Sequence, residues 1–220
     1  MLALDHIVLA GMDAEKASAR YGDQFAIKAV KGGQHDHWGT YNYLAYFSNN
    51  SYLEWLGIYN EDKLKKAENP LIQHLDHFLE QGGRGPFQFA LRTNQMDKYI
   101  THFEKNNIPY KGPFPGRREK PDGTTLKWRM LFPDYDYKKE MLPFLIEWDR
   151  DDDKQMVTSL LNPQAITKVS YGGASKDKFR EIYHLKPKSL YNKRIYKNHF
   201  PLSNSKITFT DETMLSFDLI

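Results

Sequence analysis

Two short segments that carry the dipeptide Glu-Trp constrain the fold of this chain more than any other feature. Residues 52–57 read Tyr-Leu-Glu-Trp-Leu-Gly, and residues 143–149 read Pro-Phe-Leu-Ile-Glu-Trp-Asp. In each segment a single acid, Glu54 or Glu147, stands within an apolar and aromatic run that is typical of a buried strand. Acids avoid such positions unless they are paired, protonated or bound to a metal. The repetition predicts a duplicated unit whose halves each bring one carboxylate to a shared centre.

The composition is that of a folded protein with a sizeable core. Of the 220 residues, 40% are hydrophobic and 27% are charged, and the net charge is only +3, so we expect neither disorder nor nucleic-acid binding. The absence of cysteine excludes disulfides, thiolate metal sites and cysteine nucleophiles. Because the sequence shows neither a signal-peptide pattern nor an apolar run of about 20 residues, we expect a cytoplasmic protein that does not contact a membrane.

Hydrophobic periodicity predicts the same order of elements twice, namely a strand, a helix and three strands. The first module, 1–59, has a strand at 4–10, a helix at 14–21 and strands at 24–30, 41–47 and 51–58, with a loop at 31–40. A helical segment at 60–83 links it to the second module. That module, 84–150, has a strand at 87–93, a helix at 94–106 and strands at 109–114, 125–132 and 142–148.

The remaining residues, 151–220, follow the same order incompletely. A strand is predicted at 165–171 and a helix at 175–184, and a hairpin is predicted between 206–210 and 214–220. We interpret this tail as a partial third module of βαββ type that covers an edge of the duplicated core or makes a dimer contact. The sequence leaves open whether the chain forms a homodimer.

Four residues of the two modules form a candidate metal site. Side chains alternate along a strand, and each Glu-Trp strand presents one acid on one face. Placing residues 7–9 on residues 89–91 aligns His6, the odd polar residue of the opening strand, with Gln88. His6, Glu54, Gln88 and Glu147 together offer one imidazole nitrogen and three oxygens, which suit Zn²⁺, Ni²⁺, Mn²⁺ or Fe²⁺.

Five segments in this order resemble the glyoxalase-like branch of the vicinal oxygen chelate superfamily. These segments are residues 4–10, 37–42, 52–56, 121–128 and 143–148. The resemblance implies an α+β fold in which two paired βαβββ modules form a half-barrel cleft. It also implies that the first and last strand of each module supply the metal ligands, which matches the four residues named above, although many relatives have His at the position of Gln88.

Each candidate ligand also has a structural interpretation. His6 is equally explained by a hydrogen bond to Asp5 or to a backbone carbonyl, and Gln88 by hydrogen bonds within the core. Either glutamate is explained by an ion pair, for example with Arg129 or Arg92. Without a metal, two close carboxylates repel each other, and one of them takes up a proton.

The family resemblance also indicates residues that face a substrate. Arg117 and Arg118 lie in a predicted loop that is rich in turn-forming residues. Arginines bind carboxylates and phosphates through two parallel hydrogen bonds, and the alternative is that this loop is a solvated basic surface. The predicted substrate-binding residues are His37, Asn42, Arg117, Arg118 and Trp128.

The resulting functional hypothesis is a divalent-metal-dependent lyase or isomerase that acts on a small oxygen-rich substrate through an enediolate. In this scheme Glu54 and Glu147 are catalytic, and Glu147 is the base by analogy with the family. One alternative is an Fe²⁺ ring-cleaving dioxygenase, which needs a second His ligand that His37 would supply. The other is a metal-free module that sequesters a small molecule such as a drug.

Overall fold

The computed structural model describes residues 1–119, 123, 125–149, 158–183, 198–212 and 214–220. The described residues form two compact units. The first unit contains residues 5–89 and 158–165, and the second unit contains residues 1–4, 90–149 and 166–220. In these ranges no helix is both long enough and apolar enough to cross a membrane.

The first module folds in the predicted order of strand, helix and three strands. Its elements are β1 (Ala3–Ala10), α1 (Ala14–Phe25), β2 (Val30–His35), β3 (Thr40–Phe47) and β4 (Tyr52–Ile58). The strand order is β2-β3-β4-β1. Neighbouring strands are antiparallel except for β4 and β1, which are parallel. The first and last strands of the module are therefore direct neighbours.

Helix α1 is longer than predicted, and this shifts the strand that follows it. The Asp13 side chain caps the helix by accepting a hydrogen bond from the Lys16 N–H. Ala26 ends it in the left-handed region, with φ of 53°, and its N–H binds the Gly22 carbonyl. The strand predicted at 24–30 is therefore wrong, because the chain completes a helix at its start. The first half of the predicted loop at 31–40 is strand β2.

Two helices, not one, occupy the predicted helical link. These are α2 (Glu61–Lys65) and α3 (Pro70–Glu80). Pro70 begins α3 after Asn69, whose side chain accepts a hydrogen bond from the Leu71 N–H. Leu71 and Leu75 are buried on α3, and His74 is buried beside them at 4% exposure.

Buried His74 should make the protein unstable in mild acid. Its ring packs edge-on against Phe87, and burial lowers its pKa from 6.5 to about 4. In the unfolded chain this histidine takes up a proton near pH 6.5, whereas in the folded chain it does so only near pH 4. The free energy of unfolding therefore decreases as the pH falls from 6.5 toward about 4. The loss should reach about 3 kcal/mol, at about 1.4 kcal/mol per pKa unit.

Urea denaturation across this pH range measures the effect. The His74→Gln variant should lose most of the acid-dependent slope. His77→Gln, a change on the same helix at a half-buried histidine, is the matched control and should keep most of the slope, because burial lowers the His74 pKa more than the charge of His77 does. An unchanged slope in His74→Gln would show that another group is responsible.

The second module repeats the topology of the first. Its elements are β5 (Gly85–Arg92), α4 (Met96–Lys105), β6 (Tyr110–Glu119), β7 (Thr125–Pro133) and β8 (Phe144–Trp148). The strand order is β5-β8-β7-β6, and again the first and last strands are parallel. The predicted α+β class with two βαβββ modules is confirmed.

The tail folds as a third, modified module. Before it, the short strand β9 (Leu161–Asn162) pairs in parallel with β3 of the first unit. The elements of the tail are β10 (Ile166–Tyr171), α5 (Lys176–Tyr183), β11 (His199–Pro201), β12 (Lys206–Phe209) and β13 (Leu215–Leu219). The strand order is β11-β12-β10-β13, with β10 and β12 parallel. The predicted hairpin is wrong, because β12 and β13 lie on opposite sides of β10 and do not pair with each other.

Hydrogen bonds connect helix α5 of the tail to other elements of the second unit. The Tyr183 hydroxyl donates to the Pro143 carbonyl at 2.5 Å. The Tyr99 hydroxyl of α4 donates to the Tyr183 carbonyl at 3.1 Å, and His102 Nε2 lies 2.8 Å from the Glu181 carbonyl oxygen. These contacts give the carbonyls of Glu181 and Tyr183 side-chain partners from helix α4. The tail is therefore part of the core of this unit.

Candidate functional site

Strands β1 and β4 bring a histidine between two carboxylates in the first unit. Val8 lies opposite Glu54 in the parallel pairing, so His6 and Glu54 share one face of the sheet. Asp5 Oδ1 lies 2.8 Å from His6 Nδ1, and Glu54 Oε2 lies 3.3 Å from His6 Nε2. The His6 ring also stacks on Tyr52 at 4.5 Å. Both His6 and Asp5 are buried, at 3% and 0% exposure.

Asn42 holds the second oxygen of Glu54. Its Nδ2 donates to Glu54 Oε1 at 2.5 Å, and its Oδ1 accepts from the Gly33 N–H at 2.7 Å. The two bonds define the orientation of the amide. A Cβ atom at Gly32 would lie 2.1 Å from Asn42 Oδ1, so this strand needs glycine beside the amide. The predicted role of Asn42 in substrate binding stays a prediction, and the structure shows in addition that Asn42 positions the Glu54 carboxylate.

The chain Asp5, His6 and Glu54 is arranged to hold and release a proton. Asp5 accepts a hydrogen bond from His6 Nδ1, which assigns that proton and turns Nε2 toward Glu54. Nε2 lies 3.3 Å from Glu54 Oε2, so a proton can pass between the imidazole and the carboxylate. Glu54 can therefore act as a base, and His6 can take up or return the proton.

Arg129 forms an ion pair with the carboxylate of Glu147 in the second unit. Its Nε and Nη2 lie 2.7 and 2.5 Å from Glu147 Oε2, and its Nη1 lies 2.8 Å from Asp97 Oδ1. The Met96 N–H, at the start of α4, donates to Glu147 Oε1 at 3.0 Å. The hydrogen bond from Arg129 also lowers the pKa of Asp97. Both oxygens of Glu147 therefore have partners in its own unit.

The two Glu-Trp dipeptides are not equivalent in strand register. Glu54 lies opposite Val8 in the first module. The sequence alignment of the two modules sets Val8 on Ala90, and the residue opposite Ala90 is Phe144. Glu147 lies three residues further along β8, on the face opposite to that of Phe144. The likeness of the dipeptides therefore does not extend to the direction of their carboxylates.

The Arg129–Glu147 pair should contribute measurably to stability. Replacing Arg129 by methionine leaves the Glu147 carboxylate, 17% exposed, with only the Met96 N–H as partner. We expect a loss of about 1–2 kcal/mol in the free energy of unfolding, since a hydrogen bond to a charged group contributes about that much after solvent screening.

A double-mutant cycle checks this expectation. Arg129→Met combined with Glu147→Gln should restore part of the lost stability, because the double variant has no unpaired carboxylate. Additive losses in the two single variants would mean that the pair does not couple.

Two of the four predicted metal ligands, Gln88 and Glu147, have hydrogen-bond partners of their own. Gln88 is 2% exposed, and its Oε1 accepts a hydrogen bond from the Phe89 N–H at 2.8 Å. Glu147 is bound by Arg129. Of the described residues, no three His, Asp or Glu side chains gather where they could hold a metal ion. His6, with Asp5 bound to its other ring nitrogen, and Glu54 are oriented as two ligands would be, and the four-residue metal site stays a prediction.

The remaining predicted substrate-binding residues lie on strands and a turn. His37 is exposed in the turn after β2. Arg117 is exposed and Arg118 half-buried on β6. Trp128 is half-buried on β7, and its ring lies 5.2 Å from that of Trp148. Their roles in substrate binding stay predictions.

Some predicted features lie outside the described residues. These are positions 121, 122 and 124 of the segment 121–128 and the predicted boundary around residue 150. The predicted helix at 175–184 extends one residue into this part of the chain.

Sequence reasoning missed three parts of these clusters. Asp5 was considered only as an alternative partner for His6, although its position next to that histidine was the available signal. Gly32 and Gly33 were interpreted as turn residues, whereas they support Asn42. Asp97 gave no signal, because an exposed acid at the start of a helix is common.

Comparisons with known proteins agree with this architecture. A family model described as "Glyoxalase-like domain" matches residues 4–186. The crystal structure of a hypothetical protein from Staphylococcus aureus is 20% identical with a TM-score of 0.72, covering 96% of this chain and 87% of that one. A glutamate-to-glutamine variant of Streptomyces coelicolor methylmalonyl-CoA epimerase, in complex with 2-nitronate-propionyl-CoA, is 18% identical with a TM-score of 0.50, covering 68% and 100%. No curated protein matches the sequence. The two structures show a shared fold.

Proposed function

Since the chain belongs to the glyoxalase-like domain family, we propose that it is a lyase or isomerase that moves a proton at a carbon beside a carbonyl group. The substrate is a small oxygen-rich molecule, and the reaction passes through an enediolate. The observation that carries this proposal is the Asp5–His6–Glu54 chain, in which a buried imidazole lies 3.3 Å from a carboxylate that Asn42 anchors. The epimerase among the structural neighbours supports only the fold.

Glu54 is the base in this proposal. The C–H bond of the substrate breaks, its electron pair enters the enediolate, and its proton passes to Glu54 Oε2. Asn42 keeps the carboxylate in place, and Asp5 favours the proton on the imidazole by accepting a hydrogen bond from Nδ1. His6 then receives or returns a proton, so the product forms when the carbon is protonated again.

A divalent metal remains a proposal for this chain. When bound, such an ion supplies positive charge that stabilises the enediolate oxygens. His6 and Glu54 are the residues that would hold it from the first unit, whereas Gln88 and Glu147 have other partners. The steps assigned above to Glu54, His6, Asn42 and Asp5 do not depend on it.

A metal-free binding module is the second candidate. The observation that favours it is the pair of half-buried rings Trp128 and Trp148, 5.2 Å apart and inclined by 48°. A Cβ atom at Gly116 would lie 2.2 Å from the Trp128 ring, so glycine lets this ring lie on the β6 backbone. A flat aromatic ligand stacks favourably on such rings.

Hydrogen–deuterium exchange in D₂O tests the proposal without knowledge of the product. The protein is incubated with 2-oxo acids, 2-hydroxy ketones and acyl thioesters, and proton NMR follows the loss of C–H signals next to each carbonyl. We expect protein-dependent exchange in one of these classes, because abstraction of the proton precedes every later step.

Metal content and added ions separate the alternatives. Metal analysis of protein purified without chelator, and exchange assays with Zn²⁺, Ni²⁺, Mn²⁺ or Fe²⁺, show whether an ion is required. No exchange in any class with any of these ions would overturn the enzyme proposal. Thermal stabilisation by aromatic ligands alone would then support the binding module.

A further inference from the structure

A cavity with charged residues in its lining lies on the sheet of the tail module. Its volume is about 510 Å³, within the range of small-molecule sites. Strands β10, β12 and β13, together with the residues next to them, supply its lining. The lining residues are Thr167, Lys168, Ser205, Lys206, Asp218 and Ile220.

The cavity opens on the sheet face that is turned away from helix α5. Phe209 of β12 packs on Phe179 of α5 with ring centres 5.4 Å apart, so Phe209 faces the helix. Because side chains alternate along a strand, Thr208 faces the other way. Lys206, two residues before Thr208, shares its face.

The corresponding face of the first module carries Glu54. There Trp55 packs on Tyr21 of α1 at 5.5 Å, and Glu54, the residue before Trp55, faces away from the helix. The two strands also correspond in their pairing, because β4 is parallel to β1, the first strand of its module, and β12 is parallel to β10, the first strand of the tail module. The tail module therefore presents lysine and hydroxyl groups on the face where the first module presents an acid and an imidazole.

Two lysines and one acid line this cavity, namely Lys168, Lys206 and Asp218. Val169 pairs with Ile207 in the parallel register, so the residues before them, Lys168 and Lys206, are neighbours on adjacent strands. Lys168 Nζ lies 2.7 Å from Asp218 Oδ2. Within the ranges that the structure describes, Lys206 has no such ion pair. Adjacent like charges repel, and an anion bound beside Lys206 would relieve this repulsion.

Ser205 adds a hydroxyl to the positive charge. Its Oγ atom is buried and has no hydrogen-bond partner among the described residues. A buried hydroxyl without a partner costs free energy, which a ligand that accepts its hydrogen bond would recover. The hydroxyl and the Lys206 ammonium are adjacent along the chain and line the same cavity.

We propose that this cavity binds an oxyanion, the phosphate or carboxylate group of a small metabolite. Lys206 and Ser205 donate to the anion, and Lys168 contributes charge while it remains paired with Asp218. The cavity is larger than a phosphate ion, so it has room for the rest of a small molecule. This binding site is separate in sequence and in side chains from the Asp5–His6–Glu54 cluster, and it does not depend on the proposed enzymatic function.

NMR titration of the full chain with inorganic phosphate tests the proposal, with sodium chloride at matched ionic strength as the salt control. Phosphate should shift the amide signals of β10, β12 and β13, and chloride should not. Lys206→Met should weaken phosphate binding about tenfold or more, as expected for a charge-assisted hydrogen bond. Asp218→Asn should tighten it about threefold, because it removes the competing acid.

Lys105→Met, a change at an exposed lysine on α4, is the matched control and should leave binding unchanged. Titration with acetate distinguishes the source of the anion: shifts with phosphate alone indicate a phosphate group, and equal shifts with acetate indicate that a carboxylate also binds. Lys206 and Asp218 are exposed, so both variants should fold. Phosphate binding that is absent, or that is the same in Lys206→Met, overturns the proposal.

Discussion

Glu54→Gln should slow hydrogen–deuterium exchange of the substrate about a thousandfold, since a positioned general base contributes about 10²- to 10⁴-fold. Glutamine keeps the shape of the side chain and can still accept the hydrogen bond from Asn42 Nδ2, which is 2.5 Å from Glu54 Oε1. It cannot take up the proton of the substrate. The measurement is the exchange rate in D₂O at saturating substrate, with circular dichroism to confirm the fold.

Glu147→Gln is the matched comparison, because the sequence predicts Glu147 as the base. Arg129 and the Met96 N–H already bind the two oxygens of Glu147. Glu147 should therefore contribute much less to the exchange rate than Glu54, and Glu147→Gln should retain most of that rate. The opposite ranking, with Glu147→Gln inactive and Glu54→Gln active, would return the base to Glu147 and refute the assignment made here.

Tyr183→Ala should lower the free energy of unfolding by about 4 kcal/mol, the usual cost of removing a large buried aromatic ring. Tyr183 is 1% exposed, and burial raises the pKa of its hydroxyl well above 10, so the hydroxyl keeps its proton and donates to Pro143. Tyr183→Phe removes only that hydrogen bond and should cost about 1–2 kcal/mol. Urea denaturation measures both losses.

Glu181→Ala, on the exposed side of the same helix, is the control for Tyr183 and should change the stability little. A separate early transition confined to the tail in Tyr183→Ala would show that the tail unfolds independently. A single cooperative transition would show that the tail belongs to the core of its unit, as its hydrogen bonds indicate.

The order of elements follows from local patterns, and so it was predicted well. Alternating apolar residues identified β1, β3, β4, β7 and β8, and helical spacing identified α1 and α4. The errors occurred where a nonlocal or backbone effect decides the outcome. Ala26 in a left-handed conformation extends α1 into the predicted strand, and β12 pairs with β10 and not with the nearby β13.

The candidate site was predicted less completely than the fold. The lone acids in apolar strands correctly indicated that Glu54 and Glu147 need partners. The identity of those partners did not follow from the dipeptides: Glu54 has His6 and Asn42, and Glu147 has Arg129. The ion pair with Arg129 was considered from the sequence only as an alternative to metal binding.

The sequence alone determined that this chain has two βαβββ modules and that each carries one acid requiring compensation, because periodicity and burial are properties of short segments. The tertiary structure decided which group compensates each acid and which face of the strand it occupies. Strand register sets both, and register depends on pairing between distant segments: Glu147 meets Arg129 across β7 and β8, whereas Glu54 meets His6 across β1 and β4. No pattern within either Glu-Trp segment contains that information.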